Sequence, residues 1–227
     1  MNKLSLSRRV VSEFVGTAFL VAAVIGSGVM AERLANGNVA LALLANTVAT
    51  GAALVALILT FGSISGAHFN PVVTVMHAFS GGFPWRDSFP YLSGQVAGGI
   101  AGAIAAHVMF GLPMLSLSTH VRAGPAQAFS EAVATFGLVT VIWGSSRFQP
   151  AAIPFAVGAY ITAAYWFTAS TSFANPAVTI ARAFSDTFAG IRPNDAPWFL
   201  LAQFAGGFGA TLVFRWLVGP LATANSR

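Results

Sequence analysis

The chain has 227 residues, of which 56% are hydrophobic and only 7% are charged, whereas an ordinary soluble domain carries about 25% charged residues. Eleven basic and six acidic residues are too few to cover the surface of a water-soluble globule. The basic residues are scattered rather than clustered, which argues against nucleic acid as a partner. The sequence contains no cysteine, so disulfides, thiolate metal sites and thiol catalysis are excluded.

Long stretches without any charged residue predict membrane-spanning helices. One bilayer crossing uses about 20 residues, so the charge-free stretches 34–85 and 148–181 each contain more than one helix. Apolar runs predict six spans, at about 12–30, 39–62, 89–110, 127–144, 151–168 and 198–218. Two short apolar segments remain, one after the second span and one after the fifth.

Basic residues ahead of the first apolar run are also typical of a cleaved signal peptide. However, residues 13–27 align without gaps on residues 131–145, and this second copy cannot be a signal. We therefore interpret the first run as a structural helix.

The same comparison extends to an internal repeat along the whole chain. Residues 65–80 (SGAHFNPVVTVMHAFS) match residues 170–185 (STSFANPAVTIARAFS). Both halves, about 8–115 and about 122–221, run in the order span, span, Asn-Pro segment, span. Because three is odd, the second half enters the membrane from the opposite face. The predicted fold is one all-α membrane domain over 1–227, with six transmembrane helices and two re-entrant half-helices in an inverted three-span repeat.

Each Asn-Pro pair predicts the start of a helix, because Asn is favoured as the N-cap and Pro in the first turn. Only about ten residues follow before Gly81 and Asp186, too few to cross the hydrocarbon. The two half-helix N-termini would face each other at mid-membrane, each with roughly half a positive charge. They would repel cations and protons while the Asn amides donate hydrogen bonds to neutral solutes. The motif residues are Asn70, Pro71, Val72, Asn175, Pro176 and Ala177.

The distribution of basic residues near the span ends predicts that both termini are cytoplasmic. In that orientation the cytoplasmic residues are Lys3, Arg8, Arg9, Arg86, Arg147, Arg215 and Arg227, and the external ones are Arg33, Arg122, Arg182 and Arg192.

The doubled Asn-Pro motif, in register with an inverted three-span repeat, resembles the aquaporin or major intrinsic protein superfamily over essentially the whole chain. The resemblance implies a passive channel in membrane lipid and a homotetramer of independently conducting pores. A membrane enzyme would need a nucleophile with a base or a metal site, and no Ser-His, paired-Asp or metal-ligand arrangement stands out in the sequence. We therefore expect no enzyme activity, metal or cofactor. The resemblance also implies that the buried-looking carboxylates Glu13 and Glu131 accept hydrogen bonds from the unwound backbone at the Asn-Pro loops.

One position departs from the family pattern. Most members carry Arg directly after the second Asn-Pro-Ala, where it narrows the pore, but this chain carries Val178. Counting back from the motifs, the other constriction positions map to Thr50, Ala163 and Ser172. The constriction should therefore be wide and weakly polar. Val at this position resembles the bacterial branch associated with arsenic-resistance operons, which implies a bacterial inner membrane and passage of arsenite, methylated arsenicals and polyols such as glycerol.

Two further residues are predicted near the pore. His68 matches a family pore residue on the cytoplasmic side. Arg182 lies one turn beyond Val178 and could act as a displaced gate, although an interfacial Arg that snorkels to water or pairs with Asp186 is the favoured interpretation.

Two other functions stay open from the sequence. An ordinary water-selective aquaporin would share the fold and both motifs. An ion-coupled secondary transporter also uses inverted repeats and broken helices, but it usually needs ionisable residues at mid-membrane, and none stands out between the span ends.

Overall fold

The computed structural model describes residues 4–219, so Lys3 and Arg227 of the orientation argument lie outside the described residues. Within this range every regular secondary-structure element is a helix, and six of the helices are long and apolar enough to cross a membrane. The predicted all-α membrane fold with six spans and two half-helices is confirmed. The helices are α1 (Leu6–Leu34), α2 (Val39–Ser65), α3 (Pro71–Phe79), α4 (Trp85–Met109), α5 (Pro125–Phe148), α6 (Ile153–Phe167), α7 (Pro176–Ala183) and α8 (Ala196–Val218). A 3-10 turn, Pro150–Ala152, precedes α6.

The short helices α3 and α7 occupy equivalent places in the two halves. They have 9 and 8 residues, which at 1.5 Å per residue gives about 12–14 Å, less than half of the hydrocarbon thickness. Both begin inside the helix bundle, where hydrogen bonds join the two Asn-Pro loops, and they run to opposite faces. We call the face that holds the start of α1 and the end of α8 the terminal face, and the opposite face the distal face; α3 ends at the terminal face and α7 at the distal face.

Glycines let the long helices of each half approach closely. A Cβ atom on Gly98 or Gly102 of α4 would overlap the backbone of Phe14 or Ala18 in α1. In the second half, a Cβ atom on Gly206 of α8 would overlap the backbone of α5 in the same way. Small residues at such contacts are typical of helix packing in lipid. These glycines therefore serve contacts within one subunit.

The outer surface of the helix bundle is strongly apolar. Large side chains on it are widely exposed, for example Phe89 at 78% and Trp216 at 83%. A monomer in water would not tolerate apolar exposure of this extent. The chain is a multi-pass membrane protein.

Candidate transport pore

The two Asn-Pro motifs start their half-helices as N-caps. Oδ1 of Asn70 accepts a hydrogen bond from the backbone N–H of Val72 at 2.9 Å. Oδ1 of Asn175 accepts from the N–H groups of Ala177 at 3.0 Å and Val178 at 3.3 Å. Each cap satisfies N–H groups that a helix start would otherwise leave unpaired. The carboxamide oxygens are thereby used, and the amide groups remain for other partners.

The two amide groups connect the halves of the molecule at its centre. Nδ2 of Asn70 donates to the carbonyl oxygen of Ala174 at 2.7 Å, and Nδ2 of Asn175 donates to the carbonyl oxygen of Phe69 at 2.8 Å. Because an Asn amide carries two N–H donors, each keeps a second N–H. These second donors are available to a molecule in the cavity that both residues line.

The loops that precede the half-helices have an unusual backbone. Ala67 and Phe69 have φ values of 49°, and their repeat counterparts Ser172 and Ala174 have 49° and 48°. Residues other than glycine rarely adopt this left-handed conformation, which costs roughly 1–3 kcal/mol at each position. The same strain at matching positions of both repeats indicates that the surrounding residues hold these loops in place.

Glu13 holds the first of these loops. Its carboxylate is fully buried and accepts four hydrogen bonds. Oε1 accepts from Ser65 Oγ at 2.6 Å and from the N–H of His68 at 3.0 Å. Oε2 accepts from the N–H of Phe69 at 2.7 Å and from Gln95 Nε2 at 2.8 Å. A buried carboxylate needs this many donors to offset its desolvation.

Glu131 holds the second loop with the same set of donors. Oε1 accepts from Ser170 Oγ at 2.6 Å and from the N–H of Phe173 at 2.9 Å. Oε2 accepts from the N–H of Ala174 at 2.8 Å and from Gln203 Nε2 at 2.6 Å. Neither carboxylate is among the described residues that line the cavity. Their hydrogen bonds position the loops.

A cavity of about 340 Å³ lies between the two halves and extends past both Asn-Pro motifs. One face of each half-helix lines it, at the third and seventh residues after the Asn. In α3 these residues are Val73 and His77, and in α7 they are Val178 and Arg182. The loops before the half-helices also contribute to the lining. The helices α1, α2, α5 and α6 supply most of its apolar part, which includes Leu20, Val24, Leu54, Leu138, Val157 and Ile161.

Three of the four predicted constriction residues line this cavity. Thr50, Ser172 and Val178 are all at least nine-tenths buried in the chain and contact the open space. Tyr165 lines it as well, and its hydroxyl donates to Oγ1 of Thr50 at 3.4 Å. The cavity wall therefore contains the hydroxyl groups of Thr50 and Tyr165 as well as the side chain of Val178.

The prediction for Ala163 is wrong. Ala163 is exposed on the outer side of α6, whereas Val157, Ile161 and Tyr165 face the cavity at intervals of four residues. Two residues along an α-helix correspond to a rotation of about 200°. Counting back from Asn175 passes through the non-helical loop after α6, where such counting does not preserve the register. Ile161 and Tyr165 occupy the place that Ala163 was expected to fill.

The favoured interpretation of Arg182 is also wrong. Its side chain is 2% exposed, so it does not snorkel to water. It forms no ion pair with Asp186, whose carboxylate instead accepts from the N–H and Oγ1 of Thr119. The guanidinium lies over the ring of Phe173, 3.3 Å from the ring centroid, and Nε donates to the carbonyl oxygen of Ala189. Arg182 lines the distal end of the cavity.

At the terminal end, His68 lines the cavity together with a second histidine. Nδ1 of His68 is 3.0 Å from Oγ1 of Thr74, and Nε2 is 3.1 Å from Nδ1 of His77. Sequence reasoning missed His77 and Tyr165 as lining residues. A signal for His77 was present, because it follows Asn70 by seven residues, two helical turns along the same face.

Two arginines and a histidine lie at the distal mouth. In the loop between α4 and α5, Nε of Arg122 donates to the carbonyl oxygen of Gly190 at 2.8 Å, and its guanidinium lies 5.1 Å from the centroid of the Phe173 ring. Burial lowers the pKa of Arg122 to about 10. Burial also lowers the pKa of His120 in the same loop, and the charges of Arg122 and Arg182 lower it further. A nearby carboxylate raises this pKa in turn, so acidic groups offset part of the positive charge.

Comparison with known proteins agrees with this geometry. Residues 1–151 match the sequence profile of the family described as Major intrinsic protein. The chain belongs to the major intrinsic protein family. It is 56% identical to "Aquaglyceroporin AqpS" from Rhizobium meliloti (strain 1021), over 97% of this chain and 94% of that protein. It is 30% identical to "Probable aquaporin AqpM" from Archaeoglobus fulgidus, over 94% of this chain and 98% of that protein.

The fold is also similar to a solved structure of this family. The X-ray structure of the aquaglyceroporin from Plasmodium falciparum superposes with a TM-score of 0.71 over 93% of this chain and 95% of that chain, at 21% sequence identity. This likeness confirms the aquaporin fold. The family consists of channels and transporters rather than enzymes.

Proposed function

We propose that this member of the aquaglyceroporin channel family conducts small neutral hydroxylated solutes passively. Arsenite, methylated arsenicals and polyols such as glycerol are the solutes that fit best, and water passes as well. Arsenous acid is uncharged at neutral pH and carries three hydroxyl groups, so to the pore it resembles a small triol. The name of the Rhizobium relative, an aquaglyceroporin, supports passage of glycerol.

The observation that carries this proposal is Val178. It lies in the cavity wall at the position where most of the family places a narrowing Arg. An isopropyl group there leaves more room than a guanidinium and adds no charge. The neighbouring hydroxyls of Thr50 and Tyr165 can hydrogen-bond to a solute, while the apolar wall from α5 and α6 accommodates its carbon or arsenic side.

Ion exclusion follows from the paired half-helices. Their N-termini converge where Asn70 and Asn175 meet, and each contributes roughly half a positive charge. A cation or hydrated proton at this point would face repulsion in a region of low dielectric constant. A neutral solute instead accepts hydrogen bonds from the second amide N–H of each Asn.

The distribution of basic residues supports an orientation with the terminal face in the cytoplasm of a bacterial cell and the protein in the inner membrane. The apolar outer surface supports contact with lipid and with other copies of the chain. We also propose that the chain forms a homotetramer, because the family resemblance implies it.

The proposal is tested by stopped-flow light scattering on proteoliposomes that contain the full chain, with glycerol, arsenous acid and water as separate probes. We expect glycerol and arsenous acid to enter much faster than into protein-free liposomes, and a potassium or proton gradient to persist. Fast water flow without entry of either solute would instead identify a water-selective aquaporin. Solute uptake that requires an ion gradient would identify a coupled transporter.

A further inference from the structure

The two mouths of the cavity use matching positions of the repeat in different ways. His68 and His77 at the terminal mouth correspond, position by position, to Phe173 and Arg182 at the distal mouth. Within each pair the two side chains contact each other. At the terminal mouth this contact is a hydrogen bond between ring nitrogens, 3.1 Å long. At the distal mouth the ring of Phe173 stands in the place of His68 and offers Arg182 no ring nitrogen to bond to.

Arg182 is consequently left with donors that the protein does not use. Its five N–H donors include one on Nε, which bonds to the carbonyl oxygen of Ala189. Within residues 4–219, Nη1 and Nη2 have no hydrogen-bond acceptor and no carboxylate partner. Both nitrogens also retain accessible surface, and the side chain lines the cavity. A buried cation with free donors needs acceptors from whatever occupies the cavity.

The surroundings hold the guanidinium in this place. The Phe173 ring covers one face of it at 3.3 Å from the centroid, and this ring packs edge-to-face against Phe199 at 5.1 Å. Phe173 itself is anchored through its backbone N–H to Glu131. A stacked and anchored guanidinium loses little further freedom when it binds a ligand.

Arg122, the other guanidinium at this mouth, is committed to the fold. Besides Gly190, it donates toward the carbonyl oxygens of Ser170 at 3.4 Å and Phe188 at 3.5 Å. Its backbone N–H also donates to Asp195 at 2.9 Å. Arg122 therefore holds the loops around the mouth together, and Arg182 is the cation whose terminal donors face the cavity.

We propose that Arg182 forms a solute-binding subsite at the distal mouth, in which Nη1 and Nη2 donate hydrogen bonds to oxygen atoms of a neutral hydroxylated solute. This subsite rests on the proposed function, because it binds the same solutes. A solute that enters from the distal side must shed water from its hydroxyl groups, and the free guanidinium donors replace that water. Further in, the solute meets Thr50, Tyr165 and then the Asn amides.

The test compares Arg182→Met with the unmodified chain in proteoliposomes. Met is unbranched and has no donor, and it is shorter than Arg, so a change of width alone would raise glycerol entry rather than lower it. We expect the ratio of glycerol to water permeability to fall about tenfold, the effect of losing one hydrogen bond to a charged group. Arg182→Lys, which keeps a charge and donors, should recover part of this loss. Arg33→Gln, at an exposed arginine on the same face that does not line the cavity, should leave the ratio unchanged.

The melting temperature of each variant is also measured in detergent, so that a folding defect is recognised. If Arg182→Met does not fold, a competition experiment on the unmodified chain provides the second measurement. Increasing glycerol concentrations should slow the entry of arsenous acid until the effect saturates. Solute fluxes that stay strictly proportional to concentration would overturn the subsite. A folded Arg182→Met channel with an unchanged or higher glycerol-to-water ratio would also overturn it. Failure of the unmodified chain to conduct glycerol or arsenous acid would contradict the proposed function itself.

Discussion

Gln203 donates its side-chain amide to Oε2 of Glu131 across 2.6 Å, deep inside the helix bundle. The same amide nitrogen donates to Oγ1 of Thr179 at 2.9 Å. Glu131 in turn binds the strained loop before α7. The last long helix, a buried carboxylate and the half-helix are thereby joined in one network, and the first repeat contains the same network around Glu13 and Gln95.

Replacement of Glu131 by Gln should destabilise the channel. A carboxamide has one acceptor oxygen, and its amide group would face N–H donors of the loop and of Gln203. Leaving buried donors unpaired costs about 2–3 kcal/mol, which corresponds to a fall of roughly 5–10 °C in melting temperature for a chain of this size. Thermal unfolding in detergent measures the effect.

Glu32→Gln is the matched control for this substitution. Glu32 is exposed at the distal end of α1, so the change should leave the melting temperature within about 1 °C of the unmodified chain. Equal stability of the Glu131 and Glu32 variants would show that the carboxylate does not hold the loop.

Gly98→Ala should also destabilise the chain, through helix packing. A methyl group at this position would overlap the carbonyl oxygen of Phe14 in α1, and overpacking of this kind costs roughly 1–3 kcal/mol. Gly62→Ala is its control, because nothing lies within 4 Å of the added methyl group. Ala is the better helix former, so this control should be neutral or slightly stabilising. Equal melting temperatures for the two variants would contradict the close contact of α1 and α4.

The helices, the half-helices and the Asn caps were predictable from the sequence because each depends on local chemistry. A span follows from about 20 apolar residues, and Asn before Pro marks a helix start wherever the rest of the chain lies. The loop carboxylates were placed through the repeat and the family resemblance. Apart from that resemblance, each of these inferences needed only the order of residues along the chain.

The lining of the cavity was harder to predict because it depends on rotation about helix axes and on distant partners. The prediction placed Ala163 in the pore, but the residues that face the cavity lie two positions away. Two positions along an α-helix turn a side chain from the inner side of α6 to the outer side. Asp186 follows Arg182 by four residues, a spacing that favours an ion pair, but the loop residue Thr119 takes that carboxylate. The stacking of Arg182 on Phe173 depends on a loop geometry that composition does not reveal.

The corrected register of α6 leads to a matched pair of substitutions. Ile161→Trp places an indole in the cavity. Because the indole would fill part of the path that glycerol takes, it should reduce glycerol permeability at least several-fold. Ala163→Trp places the same group on the exposed outer side of the helix and should leave permeability unchanged. Proteoliposome swelling in a glycerol gradient measures both. Loss of glycerol permeability in Ala163→Trp but not in Ile161→Trp would contradict the assignment of Ile161 to the cavity wall.

Mercurial reagents should not inhibit this channel, because the chain contains no cysteine for them to modify. Val178→Cys introduces a thiol into the cavity wall and should make glycerol flux sensitive to an organic mercurial, with recovery on addition of excess thiol. The measurement is glycerol flux before and after reagent. Inhibition of the unmodified chain, or resistance of a folded Val178→Cys channel, would be inconsistent with this arrangement.

The central claim is that Val178 opens this pore to solutes larger than water, and Val178→Arg tests it most directly. The substitution places a guanidinium in the cavity wall, which Thr50 and Tyr165 also line, and Val178→Leu adds bulk without charge as its control. Glycerol and water permeabilities of the three proteins are measured in the same proteoliposomes. We predict that Val178→Arg lowers glycerol permeability at least tenfold while water still passes, and that Val178→Leu lowers it less. Unchanged glycerol permeability in a folded Val178→Arg channel would place the constriction elsewhere and contradict the claim.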